Sequence, residues 1–255
     1  MLEPFPAGTF DTVNEPLAQF SDRLTMFLFR RGDVKEADER CGVVIPADYW
    51  KSSLPVECPE EFRRLGLLTK IGIVSHNVPH DVSLSHAQVM GLAPLESAPL
   101  NHAVRMMRTR KIAQSLTGEL ILDAGLRTFR IITPRTLSVT LHQGTVSAGA
   151  LSVHGATVPQ SISLISLDRT PTPISQSRSL LLLHLTDVLN AGSKFQNISR
   201  KLQLADGDAK LLLRRDPVQI SIRLGTSVRP VVNALKIDGT FAGRIVSRFE
   251  NGVLH

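Results

Sequence analysis

After Ser115 the chain is written in short runs of β-branched residues, and this constrains its fold more than any other feature. Glu119-Leu-Ile-Leu-Asp123, Thr128 to Thr133, Thr136 to Leu141, Gly149 to Val153 and Ser161 to Leu167 are such runs, and Gly, Pro, Asp or Asn separates them. Several alternate with period two, which sends successive side chains to opposite faces of a strand. Ser179 to Leu185, Val218 to Leu224, Val231 to Ile237 and Gly243 to Phe249 continue the series. Asp238-Gly239 between the last two is a tight-turn signal. About nine strands at intervals of about 8–12 residues point to a sandwich or barrel.

The first part of the chain follows a different pattern. Asn14 can cap a helix over 14–31, with Glu15 and Pro16 in its first turn and Leu17, Phe20, Leu24, Phe27 and Leu28 at helical spacing. Arg30-Arg31-Gly32 ends it, basic residues first and then a terminating glycine. Gly42 to Pro46 reads as a brief strand, Pro59 to Gly66 as a second helix and Leu67 to Ser75 as another strand. From 76 to 100 the pattern lapses into histidines, prolines and small residues, a surface connection. Leu100 to Gln114, with Val104, Met107 and Lys111, reads as a basic helix. The expected fold is mainly β with an α/β N-terminal part. It divides into a mixed segment at 1–75, a connection at 76–115 and an antiparallel β-sandwich at 116–255.

Charge separates the same halves. Residues 1–115 hold 13 Lys and Arg against 14 Asp and Glu, whereas residues 116–255 hold 16 against 9, so the second half carries the whole excess of +6. Such a surface could meet nucleic acid, an anionic polysaccharide or an acidic partner. The cations are scattered, with pairs only at Arg200-Lys201 and Arg214-Arg215, which is also the pattern of a plainly solvated face. Charge without a recognition helix or an aromatic platform disfavours nucleic acid.

No apolar stretch approaches the roughly 20 residues of a membrane span. The N-terminus lacks the basic start and apolar run of a secretory signal. Cys41 and Cys58 form no Cys-x-x-Cys pair, so a zinc site is not expected; a disulfide between them and two free thiols both stay open.

The search for catalytic chemistry returns little. There is no Gly-rich phosphate loop, no metal-ligand cluster at helical spacing and no Gly-x-Ser-x-Gly nucleophile turn, and no cofactor is expected. Glycosidic hydrolysis needs two carboxyl groups across one site, about 5–10 Å apart. Glu119 and Asp123 share a strand face near its ends and read as exposed edge carboxylates. The sole Trp and Tyr, Tyr49 and Trp50, lie in the first part. The β part has only Phe129, Phe195, Phe241 and Phe249, which its core would consume, leaving no stacking platform.

The candidate binding residues are His184, Thr186, Asp187 and Asn190, where the apolar strand Leu180 to Leu183 runs into a polar turn. That placement sets them at a sheet rim, open to a ligand or a neighbouring domain. Turn chemistry for Asp187 and Asn190, and a satisfied core position for His184, are the alternatives.

Several stretches taken in order carry a resemblance: Asn14-Glu15-Pro16-Leu17, Phe27-Leu28-Phe29-Arg30-Arg31-Gly32-Asp33-Val34, Arg64-Leu65-Gly66-Leu67 with Lys70-Ile71-Gly72, Thr117-Gly118-Glu119-Leu120, Thr133-Pro134-Arg135-Thr136, and Ser177 to Asp187. Together they resemble the C-terminal region of large bacterial glycoside hydrolases, in which a TIM-barrel catalytic domain is followed by β-sandwich domains. The resemblance covers most of the chain, and His184-Leu185-Thr186-Asp187 is its most specific part. Ala205-Asp206-Gly207-Asp208 departs from it, standing where the family tends to have an aromatic-containing segment.

The resemblance implies a non-catalytic accessory part, with residues 1–75 as the end of a barrel and the catalytic carboxylates upstream. Its partners would be that barrel or a polysaccharide, and the enzymes it resembles are often exported. The competing expectation is a stand-alone binding or adhesion module for an anionic polysaccharide or protein partner.

Overall fold

The computed structural model describes residues 16–44, 60–74, 91–92, 98–197, 202–208 and 210–255. They are mainly β, in sheets that are antiparallel apart from one parallel pair of strands, with three α-helices. By contact they group into two compact units, residues 34–133 and residues 1–33 with 134–255. These bounds run through space and do not coincide with the composition shifts at 75 and 115.

Helix α1 (Pro16–Arg31) belongs to the second unit. Its end is a Schellman motif: Gly32 N–H donates to Phe29 O (3.1 Å) and Asp33 N–H to Leu28 O (3.0 Å). Gly32 adopts φ +61°, left-handed backbone that glycine reaches without a Cβ penalty. The turn therefore delivers Asp33 to a fixed place at the helix end.

In the 34–133 unit, β1 (Arg40–Val44) pairs in parallel with β2 (Lys70–Val74), register Arg40↔Lys70 to Val44↔Val74, with α2 (Glu60–Leu68) between them in sequence. Strand β3 (Gly91–Leu92) adds antiparallel to β1. Helix α3 (Ala98–Arg110) buries Leu100, Val104 and Met107, a four-then-three spacing that makes one face, against Leu65, Leu68 and Ala113.

The expected helix to Gln114 ends early. Lys111 turns to φ +57°, and β4 (Ile112–Gln114) then pairs with β5 (Leu120–Asp123), which pairs with β6 (Thr128–Ile132). The β-branched Ile112 and the tie from Ala124 N–H to Lys111 O (3.0 Å) favour the ladder over another helical turn. Glu119 is not an exposed edge carboxylate: it precedes β5, is buried, and its Oε2 accepts from Lys35 N–H at 2.8 Å. Asp123 closes the next turn, accepting from Leu126 N–H at 2.9 Å.

In the other unit, β7 (Thr136–Leu141) and β8 (Gly144–Ala148) precede β9 (Leu151–Ala156) and β10 (Gln160–Ser166). Then come β11 (Leu180–Leu185), β12 (Val188–Asn190), β13 (Lys194–Phe195), β14 (Gln203–Ala205) and β15 (Leu211–Leu213). The last strands are β16 (Gln219–Arg223), β17 (Val232–Leu235), β18 (Phe241–Ile245), β19 (Phe249–Glu250) and β20 (Val253–Leu254).

Strands β7, β10 and β11 run side by side antiparallel, with β10 in the middle. A second sheet has the order β19-β20-β16-β9-β8, and β12–β15, β13–β14 and β17–β18 are two-stranded ribbons.

Period-two alternation sets the faces of β7 and β10. Leu137, Val139, Ile162 and Leu164 stand on one face, all buried, with Val139↔Ile162 and Leu137↔Leu164 opposite each other. The other face is also closed, but by hydroxyls: Ser138 Oγ and Ser163 Oγ lie 2.7 Å apart, fully buried. Burial of both faces of β10 requires these serines to bond each other, since an unpaired buried hydroxyl is costly. None of the four phenylalanines expected to fill the core is fully buried: Phe129, Phe195 and Phe249 are half-buried and Phe241 is 64 % exposed, and Leu, Ile, Val and Ala supply the buried apolar side chains of this unit.

Candidate functional site

Strand β11 pairs only with β10 among the described residues, so it is an edge. All of it, together with β16 residues Ile220 and Ile222, ribbon residues such as Val232 and Leu235, and Leu254, lines an open cleft of about 1810 Å³. Across β10 from Val139, the position opposite Ile162 is His184, and the one opposite Leu164 is Leu182. The buried face thus continues onto β11, where Leu182 is 39 % exposed because the cleft opens over it.

His184 is exposed over much of its surface, yet its Nε2 rests 2.7 Å from Gln160 Oε1. The Gln160 amide nitrogen donates to Asp216 Oδ2 (2.5 Å) and to Val158 O (3.2 Å), which fixes the amide orientation. Oε1 is therefore an acceptor and His184 carries its proton on Nε2. Asp216 is buried and also accepts from Thr157 N–H (3.0 Å) and Thr157 Oγ1 (2.5 Å). These bonds, Thr157's side-chain bond foremost, hold the Asp216 carboxyl below its ordinary value. Burial of the ring edge lowers the His184 pKa, and the nearby Asp216 charge opposes that only in part.

Thr186 and Asp187 meet a different partner. Thr186 Oγ1 donates to Arg214 O (2.5 Å), Arg214 N–H donates to Asp187 O (2.9 Å), and the Arg214 guanidinium stands 3.7 Å from Asp187 Oδ2. Asn190 closes β12, pairs with Leu211, and its carbonyl accepts from Ser193 N–H (3.1 Å). Thr186 and Asp187 are thus drawn together on Arg214, His184 joins Gln160 and Asp216, and Asn190 does turn work.

Sequence reasoning missed Gln160 and Asp216. The available signal was Asp216-Pro217, an Asp immediately before a Pro at the mouth of a strand.

Around the cleft stand Arg23, Arg178, Arg214, Arg215, Arg229 and Lys236, all exposed. The acidic liners are Asp216, buried in the network above, and Asp238, which accepts from Thr240 N–H (2.9 Å) and Thr240 Oγ1 (2.6 Å). An apolar floor with a cationic rim can hold an anion that carries apolar groups.

Among the described residues no three His, Cys, Asp or Glu converge as a metal site would need. The buried acids Asp33, Glu119 and Asp216 are each engaged by hydrogen bonds. Tyr49, Trp50 and Cys58 lie outside the described residues, so neither an aromatic platform built on the first two nor the Cys41–Cys58 pairing falls within the description. No described helix is long and apolar enough to cross a membrane.

A second polar cluster lies at the end of α1. Asp33, its side chain 1 % exposed, stands 3.2 Å from Arg31 Nη2 and 3.5 Å from Arg135 Nη1 and accepts from Thr136 Oγ1 at 3.0 Å. Arg31 Nη1 also donates to Ser166 O (3.0 Å), the last residue of β10. Burial lowers the Arg31 pKa, with Asp33 opposing and Arg135 adding to the shift.

No family model, curated protein or solved structure matches the chain.

Proposed function

We propose that the chain is the non-catalytic C-terminal accessory part of a glycoside hydrolase-like, carbohydrate-active protein, in which an antiparallel β-sandwich follows a mixed α/β segment. The observation that carries this reading is the Asp33 cluster. Two of the stretches that resemble the hydrolases, Phe27 to Val34 and Thr133 to Thr136, lie a hundred residues apart in sequence, and their polar residues meet there: Arg31 and Asp33 from one, Arg135 and Thr136 from the other.

Two further features support it. The parallel β1–α2–β2 unit is of a kind that barrels and other α/β sheets repeat, in keeping with residues 1–75 as a barrel's end, although β3 adds antiparallel to β1. The described carboxylates that are buried are consumed in structural bonds, in keeping with catalysis lying elsewhere in a longer protein.

The test is direct. Purified chain is offered aryl glycosides, and the reading expects no turnover. Hydrolysis that disappears when one carboxylate is replaced by its amide would overturn it.

The cationic cleft favours a second reading, a binding or adhesion module for an anionic polysaccharide or protein partner. It expects retention on an anionic polysaccharide column that weakens with salt, and no retention at low salt would remove it.

A further inference from the structure

We propose that the outer edge of β11 receives an extended acidic polypeptide segment as an added strand, with alternate apolar side chains of that segment pointing into the cleft. The inference concerns the cleft alone and holds or fails independently of the glycosidase reading.

An edge strand exposes a row of backbone donors and acceptors, and folded proteins protect such edges with lysine, proline, bulges or a covering element. Among the described residues strand β11 shows none of these devices. It reads Leu-Leu-Leu-Leu-His-Leu, its pairing with β10 runs unbroken from Ser161↔Leu185 to Ser166↔Leu180, and no described strand pairs with its other side. Left bare, this is an aggregation-prone edge. Six residues at about 3.4 Å each give an edge about 20 Å long, enough for one short strand.

The occupant's chemistry follows from the cleft. Its floor is apolar, with Leu182 continuing the buried face of Ile162 and Leu164, so a strand laid beside β11 would set alternate side chains onto that floor. Its rim carries Arg23, Arg178, Arg214, Arg215, Arg229 and Lys236, against Asp216 and Asp238, both held by internal hydrogen bonds. A segment alternating carboxylates with branched apolar residues satisfies floor, edge and rim together. A second copy of this chain would bring the same cations to the same place, and like charges facing each other oppose that pairing.

The probe is a fluorescein-labelled octapeptide of alternating glutamate and valine, titrated into the full chain and followed by polarisation. Saturable binding is expected, weakened about tenfold or more by high salt and by the double substitution Arg215→Glu with Lys236→Glu. A peptide with its alternate, strand-facing amides N-methylated should not bind, because strand addition needs those hydrogens. Binding of the N-methylated peptide as tight as the parent would reduce the effect to surface charge and overturn the proposal, as would no saturable binding at low salt. Sedimentation as a dimer that the peptide cannot dissociate would also overturn it, because the edge would then belong to a second copy.

Discussion

The carboxylate of Asp33 accepts a hydrogen bond from Thr136 Oγ1 at 3.0 Å, joining positions 103 residues apart and tying the end of α1 to the start of β7. One carboxylate there faces two guanidinium groups, Arg31 and Arg135, with side-chain exposures of 12 % and 19 %. Removing it leaves an uncompensated, mostly buried positive pair. Asp33→Ala should destabilise the chain by roughly 3–5 kcal/mol. Thr136→Val removes the hydrogen bond to Asp33 and should cost about 1–2 kcal/mol. Urea unfolding midpoints measure both, and equal, small shifts would show that the cluster does not hold the helix.

Two glycines with the same backbone sign should respond differently to alanine. Gly32 has φ +61° and open space where a Cβ would stand, so Gly32→Ala should cost only the left-handed conformation, about 1–2 kcal/mol. Gly207 has φ +78°, and a Cβ there would collide with the backbone at Ala191 and Ser193. Gly207→Ala should therefore open the contact made by Asp208 N–H with Ala191 O (2.6 Å) and loosen the ribbons on either side of it. Amide hydrogen exchange checks this: protection should fall around Ala191 and Asp208 in the second variant and stay unchanged there in the first.

The His184–Gln160–Asp216 chain makes stability depend on pH. The folded pKa of His184 lies below its ordinary value, so the unfolded chain takes up that proton first as pH falls. The contribution is complete above the ordinary histidine value of about 6.5 and is lost as pH drops through it toward the folded value. Asp216, also lowered, adds a loss of the same sign in the acid range below the ordinary carboxyl value. Unfolding midpoints of His184→Gln and of the parent, compared between about pH 8 and pH 5, should converge as pH falls. A constant gap would mean the histidine does not titrate differently on folding.

Much of the strand series could be read directly, because alternation and punctuation are local properties. Thr136 to Leu141, Ser161 to Leu167 and Ser179 to Leu185 fall within a residue of β7, β10 and β11. Strand β8 was not legible: Gly144-Thr-Val-Ser-Ala148 is short and largely polar, and it is a strand because β9 pairs with it. The early end of α3 was hidden for the same reason, since the helical pattern continues to Gln114 and only pairing with β5 overrides it.

The site was half legible. Leu-Leu-Leu-Leu followed by His and a polar turn marks a strand that leads to a sheet rim, which local reading can find; that the strand is an edge appears only from its pairing. The partners Gln160, Arg214 and Asp216 come from elsewhere in the chain, and their contacts are made only by folding. Phe241 shows the converse. An aromatic residue is a core residue by default, and only its place on an outlying ribbon leaves it exposed.

The central proposal is that these residues are the tail of a longer enzyme whose barrel supplies the catalytic carboxylates. Sequencing the transcript upstream of the Met1 codon tests it most directly. The account predicts an open reading frame continuous with Met1 that encodes a β/α barrel with two acidic residues at the C-terminal ends of its strands. An in-frame stop codon just upstream, with translation starting at Met1, would contradict it.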